Sequence, residues 1–224
     1  MKALKIKIYQ ETVCYKKPYA FKVTETYPLP PYSTVIGMLH RILKAGPGEY
    51  HKMDISIQGN YEGIFTAYNT TRFYKGDNIT SMPLNVHMLY GVNLIIHVVS
   101  DDNTLENIYE GFKLYDTAFT LGRSEDLARI DEIKFVNIHK VTFDDDDMEE
   151  DDEITLKNCI YVPEKYNTSL TGIGYRINKV YAIINNLRQW EKVKVTYVEA
   201  NEILGDGEYY KDDDCEGSDI AFLA

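Results

Sequence analysis

Three prolines followed at once by an amphipathic stretch are the sharpest constraint in this chain. In Tyr27–Gly46, YPLPPYSTVIGMLHRILKAG, Pro28, Pro30 and Pro31 hold the approach extended. Each fixes its own φ and biases its predecessor away from the α region. Ser33 or Thr34 then offers a side-chain oxygen as N-cap. Val35, Met38, Leu39 and Ile42 follow at i, i+3, i+4 and i+7, an apolar helix face that Ile36 and Leu43 widen. Gly46 suits the position just past the last turn, and Pro47 blocks continuation. The spacing predicts a helix over Thr34–Ala45 with His40, Arg41 and Lys44 off its apolar face. Hydroxyls at a helix N-terminus beside a basic side suit an anion. The same pattern equally describes a plain amphipathic helix packed on a core.

The net charge of −11 over 224 residues argues against a nucleic-acid partner until its distribution is read. Residues 144–153, DDDDMEEDDE, hold nine acids and no base, and residues 201–224 hold eight acids against Lys211. The rest of the chain therefore carries a net +5. Where charge sits, rather than its total, decides partners. Hydrophobic content of 44% is that of a globular chain, and 19 tyrosines suit strands, partner surfaces or base stacking. Cys14, Cys159 and Cys215 are odd in number and widely spaced, which points to a reducing cytoplasm rather than disulfides or zinc. No apolar run is long enough to span a membrane, and MKALKIKIYQ lacks a signal peptide's apolar core.

Leu4, Ile6 and Ile8 alternate with Lys5 and Lys7, the pattern of a half-buried strand. Lys16, Lys17 and Lys22 then interleave with Tyr15, Tyr19 and Phe21, which suits a phosphate backbone and unstacked bases as well as an ordinary solvated loop. Ile55–Ile57 and Gly63–Tyr68 read as strands joined at Gly59-Asn60. Asn69–Met82 reads as a protruding hairpin with Arg72, Phe73, Tyr74 and Lys75 on its outgoing arm. Leu89–Val99 is a strand, and Leu105, Ile108, Tyr109 and Phe112 give a second helix capped by Asn103 or Thr104. Ile133–Thr142 is a further strand. The order strand–helix–strand–strand–helix–strand is the split βαβ pattern of an α+β, ferredoxin-like domain. Ile154–Val162, Tyr175–Ile184 and Lys192–Glu199 suggest a smaller β-rich part. Trp190 suits core or interface better than a ligand site. Residues 201–224 read as an acidic tail, and 144–153 as a solvated loop whose spacing lacks the Gly and Glu of a calcium-binding EF-hand.

The run YPLPPYSTVIGMLHRIL together with LGRSEDLA at 121–128 resembles the Cas-five family of CRISPR-associated proteins, in the RAMP superfamily, most like type I-B members. The resemblance implies a ferredoxin-like (RRM-like) βαββαβ domain over 1–143 with its hairpin around 69–82. The acidic loop 144–153, a β-rich region over 154–200 and the tail 201–224 would follow. It further implies a subunit of the Cascade antiviral surveillance complex that caps the 5′ handle of the CRISPR RNA. Such a subunit contacts the large subunit and the first Cas-seven backbone subunit, and meets target DNA only through the complex. The segment at 13–23 would lie near the guide RNA.

On that reading Ser33 and Thr34 hold phosphates. Lys16, Lys17, His40, Arg41, Lys44 and Arg123 line the backbone. Tyr19, Phe73 and Tyr74 stack or wedge bases, beside Arg72 and Lys75. Arg123 also fits a role in folding its turn alone. His40, His51, His87, His97 and His139 form no HExxH or Cys/His pattern, and no P-loop or GxSxG occurs, so neither metal nor cofactor is expected. Metal-independent RNA cleavage needs only a base and a cation near the scissile phosphate, for which His40 with Lys44, or Tyr19 with Lys16 and Lys17, qualify. The resemblance implies that some relatives, those of type I-C systems, process repeat RNA. A binding subunit is the favoured expectation and an endoribonuclease the alternative.

Overall fold

The computed structural model describes residues 1–20, 22–143, 154–166, 168–204 and 207–224. The acidic run 144–153 and Phe21 lie outside them, and with them the loop and calcium readings of that run. Strand β1 (Lys2–Val13) runs antiparallel between β5 (Asn78–Val99) and β7 (Leu127–Phe143). Beyond β5 come β3 (Asp54–Asn60), β8 (Cys159–Pro163), β10 (Leu187–Val198) and β9 (Ile173–Ile184). Beyond β7 come β11 (Gly207–Asp212) and β12 (Ile220–Ala221). β2 (Val23–Thr24) and β4 (Gly63–Lys75) pair with β5, and β6 (Phe119–Thr120) with β7. Helix α1 (Tyr32–Ile42) follows β2, and α2 (Asp102–Lys113) links β5 to β6. The molecule is thus a mostly antiparallel sheet carrying two helices, with β7–β1–β5–β3 adjacent at its centre.

Alternation along the central strands sorts the two faces. Leu4, Ile6, Ile8, Ile55, Ile57, Leu94, Ile96 and Val98 join Val35, Leu39 and Ile42 of α1 and Leu105, Ile108 and Phe112 of α2 in one core. Both helices therefore cover the same face. Their ends differ from the sequence reading. α1 begins directly after Pro31, whose extended backbone (φ −60°, ψ 148°) fills the N-cap position, and no side chain caps it. Ser33 and Thr34 lie two and three residues past that position and sit within the first turn. The helix closes at Lys44 rather than Gly46. Lys44 takes the left-handed conformation (φ 55°), its N–H donates to Arg41 O at 3.1 Å, and Ala45 N–H donates to His40 O at 3.0 Å, a Schellman closure. In α2 the cap is Asp101, whose carboxylate accepts from Thr104 N–H at 2.9 Å, instead of Asn103 or Thr104.

The expected turn at Gly59-Asn60 is absent. Gly59 lies inside β3, and β3 and β4 each pair with a different stretch of β5. Its backbone is so close to Asn93 O that a Cβ has no room, so the glycine serves a close approach and not a turn.

The opposite face carries the larger correction. Residues 207–224 are a packed layer rather than a solvated tail. β11 pairs with β7, and the segment after it crosses behind β1, β5 and β3, with Phe222 N–H donating to Ser56 Oγ at 3.0 Å and Gln58 Nε2 to Ile220 O at 2.8 Å. Lys5, which the alternation assigns to solvent, is completely covered. Its ammonium meets carboxylate oxygens of Asp212 (2.8 Å), Asp214 (2.9 Å) and Asp219 (2.7 Å), and donates to Gly217 O (2.9 Å). His97 Nε2 donates to Asp212 from the other side at 2.8 Å. Three of the acids that gave the segment its tail-like composition are counterions for one buried lysine.

Removing one member of such a cluster leaves the others uncompensated in a dry environment. Lys5→Met is expected to lower unfolding stability by about 3–5 kcal/mol, read from the urea midpoint at unchanged slope. Acid acts on the same group. Burial pushes the Asp214 carboxyl up, but hydrogen bonds from Lys5 and Lys134 outweigh it and hold it down at about 2, against 3.8 ordinarily. Asp212 is held lower still by His97 and Lys5 against the same burial. Groups depressed in the folded state stabilise fully above about pH 4 and lose that contribution as pH falls toward 2. Urea midpoints measured from pH 5 to pH 2 should fall steeply in the wild type and only weakly in Lys5→Met.

Candidate nucleic-acid interface

The sequence-predicted residues fall into four places. The first is α1. Ser33 and Thr34 are half-buried in its first turn, and Arg41 and Lys44 are exposed at its far end, about 12 Å along the axis. Arg41 is steered toward α2 and β6, with its guanidinium 5.8 Å from the Tyr115 ring centre and Nη1 donating to Thr120 Oγ1 at 3.3 Å. His40 has no free ring nitrogen. Nε2 accepts the His51 backbone N–H at 3.0 Å, so Nδ1 carries the proton and donates to Ile36 O at 2.8 Å. The ring also stacks on Tyr50, centres 5.5 Å apart.

The second place is the ribbon after β1. Tyr27 N–H donates to Tyr15 O at 2.8 Å and Lys17 N–H to Glu25 O at 2.9 Å, so residues 15–17 pair with residues 25–27, and Tyr19 stands beyond them at 75% exposure. Lys16 is exposed. Lys17 is shared between Glu25 (3.1 Å) and the rings of Tyr27 and Tyr175, each 5.9 Å away. The ribbon lies against β9 and β10, where Lys192 Nζ sits 5.3 Å from the Tyr19 ring centre. Sequence reasoning missed this neighbour. The signal was present: residues 173–198 hold Arg176, Lys179, Arg188, Lys192 and Lys194 against Glu191 alone, in a chain of net charge −11.

The third place is the hairpin, and it is longer than 69–82. β4 and β5 pair without a break from Gly63↔Tyr90 to Lys75↔Asn78, an arm of about 40 Å. Its distal part has no second layer. Tyr68 and Tyr74 are 73% and 71% exposed, and Phe73 is 49% exposed. Alternation puts Phe73 and Lys75 on one face of the tip and Arg72 and Tyr74 on the other. Each face thus pairs one aromatic ring with one cation. β9 and β10 form a second long hairpin closed by Asn185 and Asn186, both left-handed (φ 52° and 59°), as a two-residue hairpin turn requires. Its tip is mainly aliphatic: Ile183, Ile184 and Leu187 are exposed beside a single cation, Arg188, whose guanidinium lies 4.7 Å from the Tyr181 ring centre, with Trp190 against Tyr181 at 5.1 Å between ring centres.

The fourth place is the LGRSED turn, and there Arg123 is already engaged. Asp126, almost wholly buried, accepts from Arg123 N–H (2.8 Å), Nε (3.0 Å) and Nη2 (2.7 Å), and from Cys14 N–H (3.3 Å). Gln10 Nε2 donates to Leu121 O (2.8 Å) and Leu127 O (3.1 Å). The turn is therefore clipped to the end of β1, directly beneath the base of the long hairpin, where Arg123 Nη2 also meets Met88 Sδ at 3.3 Å. Among the described residues no three His, Cys, Asp or Glu side chains stand together as ligands for a metal ion, and no helix is long and apolar enough to cross a membrane.

Residues 3–161 match the family described as CRISPR-associated protein (Cas_Cas5). The fold is similar to that of a chain of a "CRISPR RNA-guided surveillance complex", with a TM-score of 0.61 and 13% identity over 90% of this chain and 91% of that one. It is also similar to a CRISPR protein from Archaeoglobus fulgidus, with a TM-score of 0.50 and 9% identity over 100% of both chains. No curated protein matches the chain.

Because Asp126 gathers four donors and is buried, Asp126→Ala is expected to cost about 3 kcal/mol of stability, measured by chemical denaturation. Arg123→Ala should destabilise in the same way while leaving any RNA affinity of the folded protein within about twofold, since surface cations and not this engaged one set the salt-dependent part.

Proposed function

Since the chain belongs to the Cas5 family of CRISPR-associated proteins, we propose that it is the CRISPR-RNA-binding subunit of a type I Cascade complex and caps the 5′ handle. The observation that carries this reading is the tip of the β4–β5 arm. Two exposed aromatics and two exposed cations are distributed one of each per face, on an arm with no core of its own. An aromatic ring offers a stacking surface to any base, and an adjacent cation a partner for its phosphate. A strand can be gripped from either side of such a tip, or wedged apart by it.

The four adjacent strands β7–β1–β5–β3, with α1 between β1 and β3 and α2 between β5 and β7, fit the ferredoxin-like unit expected of the RAMP superfamily. On this frame Lys16, Lys17 and Tyr19, joined by Lys192, form a second contact near the handle. Ser33, Thr34, Arg41 and Lys44 form a third. Arg123 holds the turn beneath the arm instead of touching phosphate. The aliphatic tip of the β9–β10 hairpin suits an apolar surface on a large or backbone subunit, and target DNA is reached only through the complex. A type I-B assignment rests on sequence resemblance alone.

The endoribonuclease alternative loses its best general base, because both His40 ring nitrogens are occupied by backbone groups. The experiment is binding of the full chain to a labelled RNA carrying the repeat-derived 5′ handle, against a scrambled RNA, across a salt series in EDTA. Handle-selective affinity that falls with salt, with the RNA left intact, is the expected result. Phe73→Ala with Tyr74→Ala should weaken it by at least about tenfold, from a stacking contribution of roughly 1–3 kcal/mol per base. Equal affinity for both RNAs overturns the handle assignment, and cleavage lost in His40→Ala establishes the nuclease.

A further inference from the structure

We infer that Gly37 is a contact position for a sugar–phosphate backbone, kept bare so that RNA can lie directly on the exposed face of α1. The inference rests on the RNA-binding reading above and adds a residue and a mode of contact to it.

Glycine inside a helix is disfavoured against alanine because it loses more backbone freedom on folding. A glycine is therefore explained by its own chain when a side chain has no room or when φ is positive. Neither applies to Gly37. It lies in the middle of an 11-residue helix, is exposed, and a Cβ built on it meets nothing within 4 Å. Gly111 in α2 shows the contrast: a Cβ there strikes Ile42 Cγ2 of α1 at 2.6 Å. The open space at Gly37 points to an occupant from outside the chain.

The neighbours on that face describe the occupant. One turn earlier stands Ser33, with Thr34 beside it. One turn later stands Arg41, exposed and oriented by Tyr115 and Thr120 rather than by a carboxylate. Lys44 continues the line. Among the described residues neither Arg41 nor Lys44 is paired with an acid, and the first turn of α1 carries no acidic residue. Hydroxyl, bare backbone, guanidinium and ammonium in a row suit successive phosphates and sugars. A protein helix packing on this face would need a row of apolar side chains, and α1 presents none there, because Val35, Ile36, Met38, Leu39 and Ile42 are all buried on the other side; the one ring stacked beside it is Tyr50, on His40.

The test is Gly37→Ala in the full chain, measured with the same handle RNA and scrambled control. A methyl group placed in open space should raise the Tm by about 2–4 °C, as helix propensity alone dictates. It should weaken handle binding by about tenfold with the salt slope unchanged, since no cation is lost. Arg41→Ala provides the opposite signature, a slope smaller by about one. A more stable Gly37→Ala that binds as tightly as the wild type overturns the inference and leaves the RNA-binding reading standing. A Tm that falls also overturns it, by showing that the glycine serves the fold. A wild type that does not select the handle overturns both.

Discussion

One ammonium group decides whether the two layers of this molecule can close. Lys5 lies on the central strand, on the face opposite the helices, and withdrawing an ammonium from water costs several kcal/mol when nothing replaces the water. Asp212, Asp214, Asp219 and Gly217 O replace it, and all of them belong to the last strands and their connection. The arrangement ties the outermost segment to the innermost strand. It leaves Ser56 and Gln58 their partners Phe222 N–H and Ile220 O, so the polar residues on the back of β3 are buried without being orphaned.

The other face is organised by the chain's punctuation. Pro31 sets where α1 starts, and Lys44 sets where it stops. Between them the apolar stripe meets the helix face of the sheet while the polar stripe stays outside. Two hairpins then carry the strands past the core they were built on. Where β5 runs past β1, β3 and the short β2, from Leu84 back to Asn78, it keeps only β4, and both faces of that ribbon are open. The same happens at the end of β9 and β10. Their tips are unlike, aromatic and basic in one and mainly aliphatic in the other.

The sequence was most readable where period and punctuation coincided. The apolar faces of both helices and the apolar side of β1 follow from residues a few positions apart, and those contacts formed as expected; the side of β1 that bears Lys5 did not stay open to solvent. Readings failed where the deciding partner was remote. Acidic residues near 212–219 read as part of a tail because composition cannot reveal a lysine more than 200 positions away. Gly59 read as a turn because a close backbone neighbour such as Asn93 O is invisible along the chain. Of the candidate site, the exposed tip residues Arg72, Phe73, Tyr74 and Lys75 were recognisable from their interleaving. Lys192 beside Tyr19 was not, since it depends on how β10 is placed across the sheet. Arg123 carried the right charge for phosphate, and only the structure reveals that Asp126 has already claimed it.

The link between Lys5 and the closing strands has a temporal side. Lys5 and Asp214 are separated by 209 positions. At a synthesis rate of roughly 5–20 residues per second, the strand that bears the lysine waits on the order of 10–40 s for its counterions to emerge from the ribosome. During that interval the helix-covered face can assemble from segments already made, while the back of β1, β5 and β3 stays wet and its edge at β7 unpaired. The nascent chain is then a half-finished sandwich with an open, polar flank. Closure of that flank is therefore a late event in the making of the molecule, however stable the finished structure is.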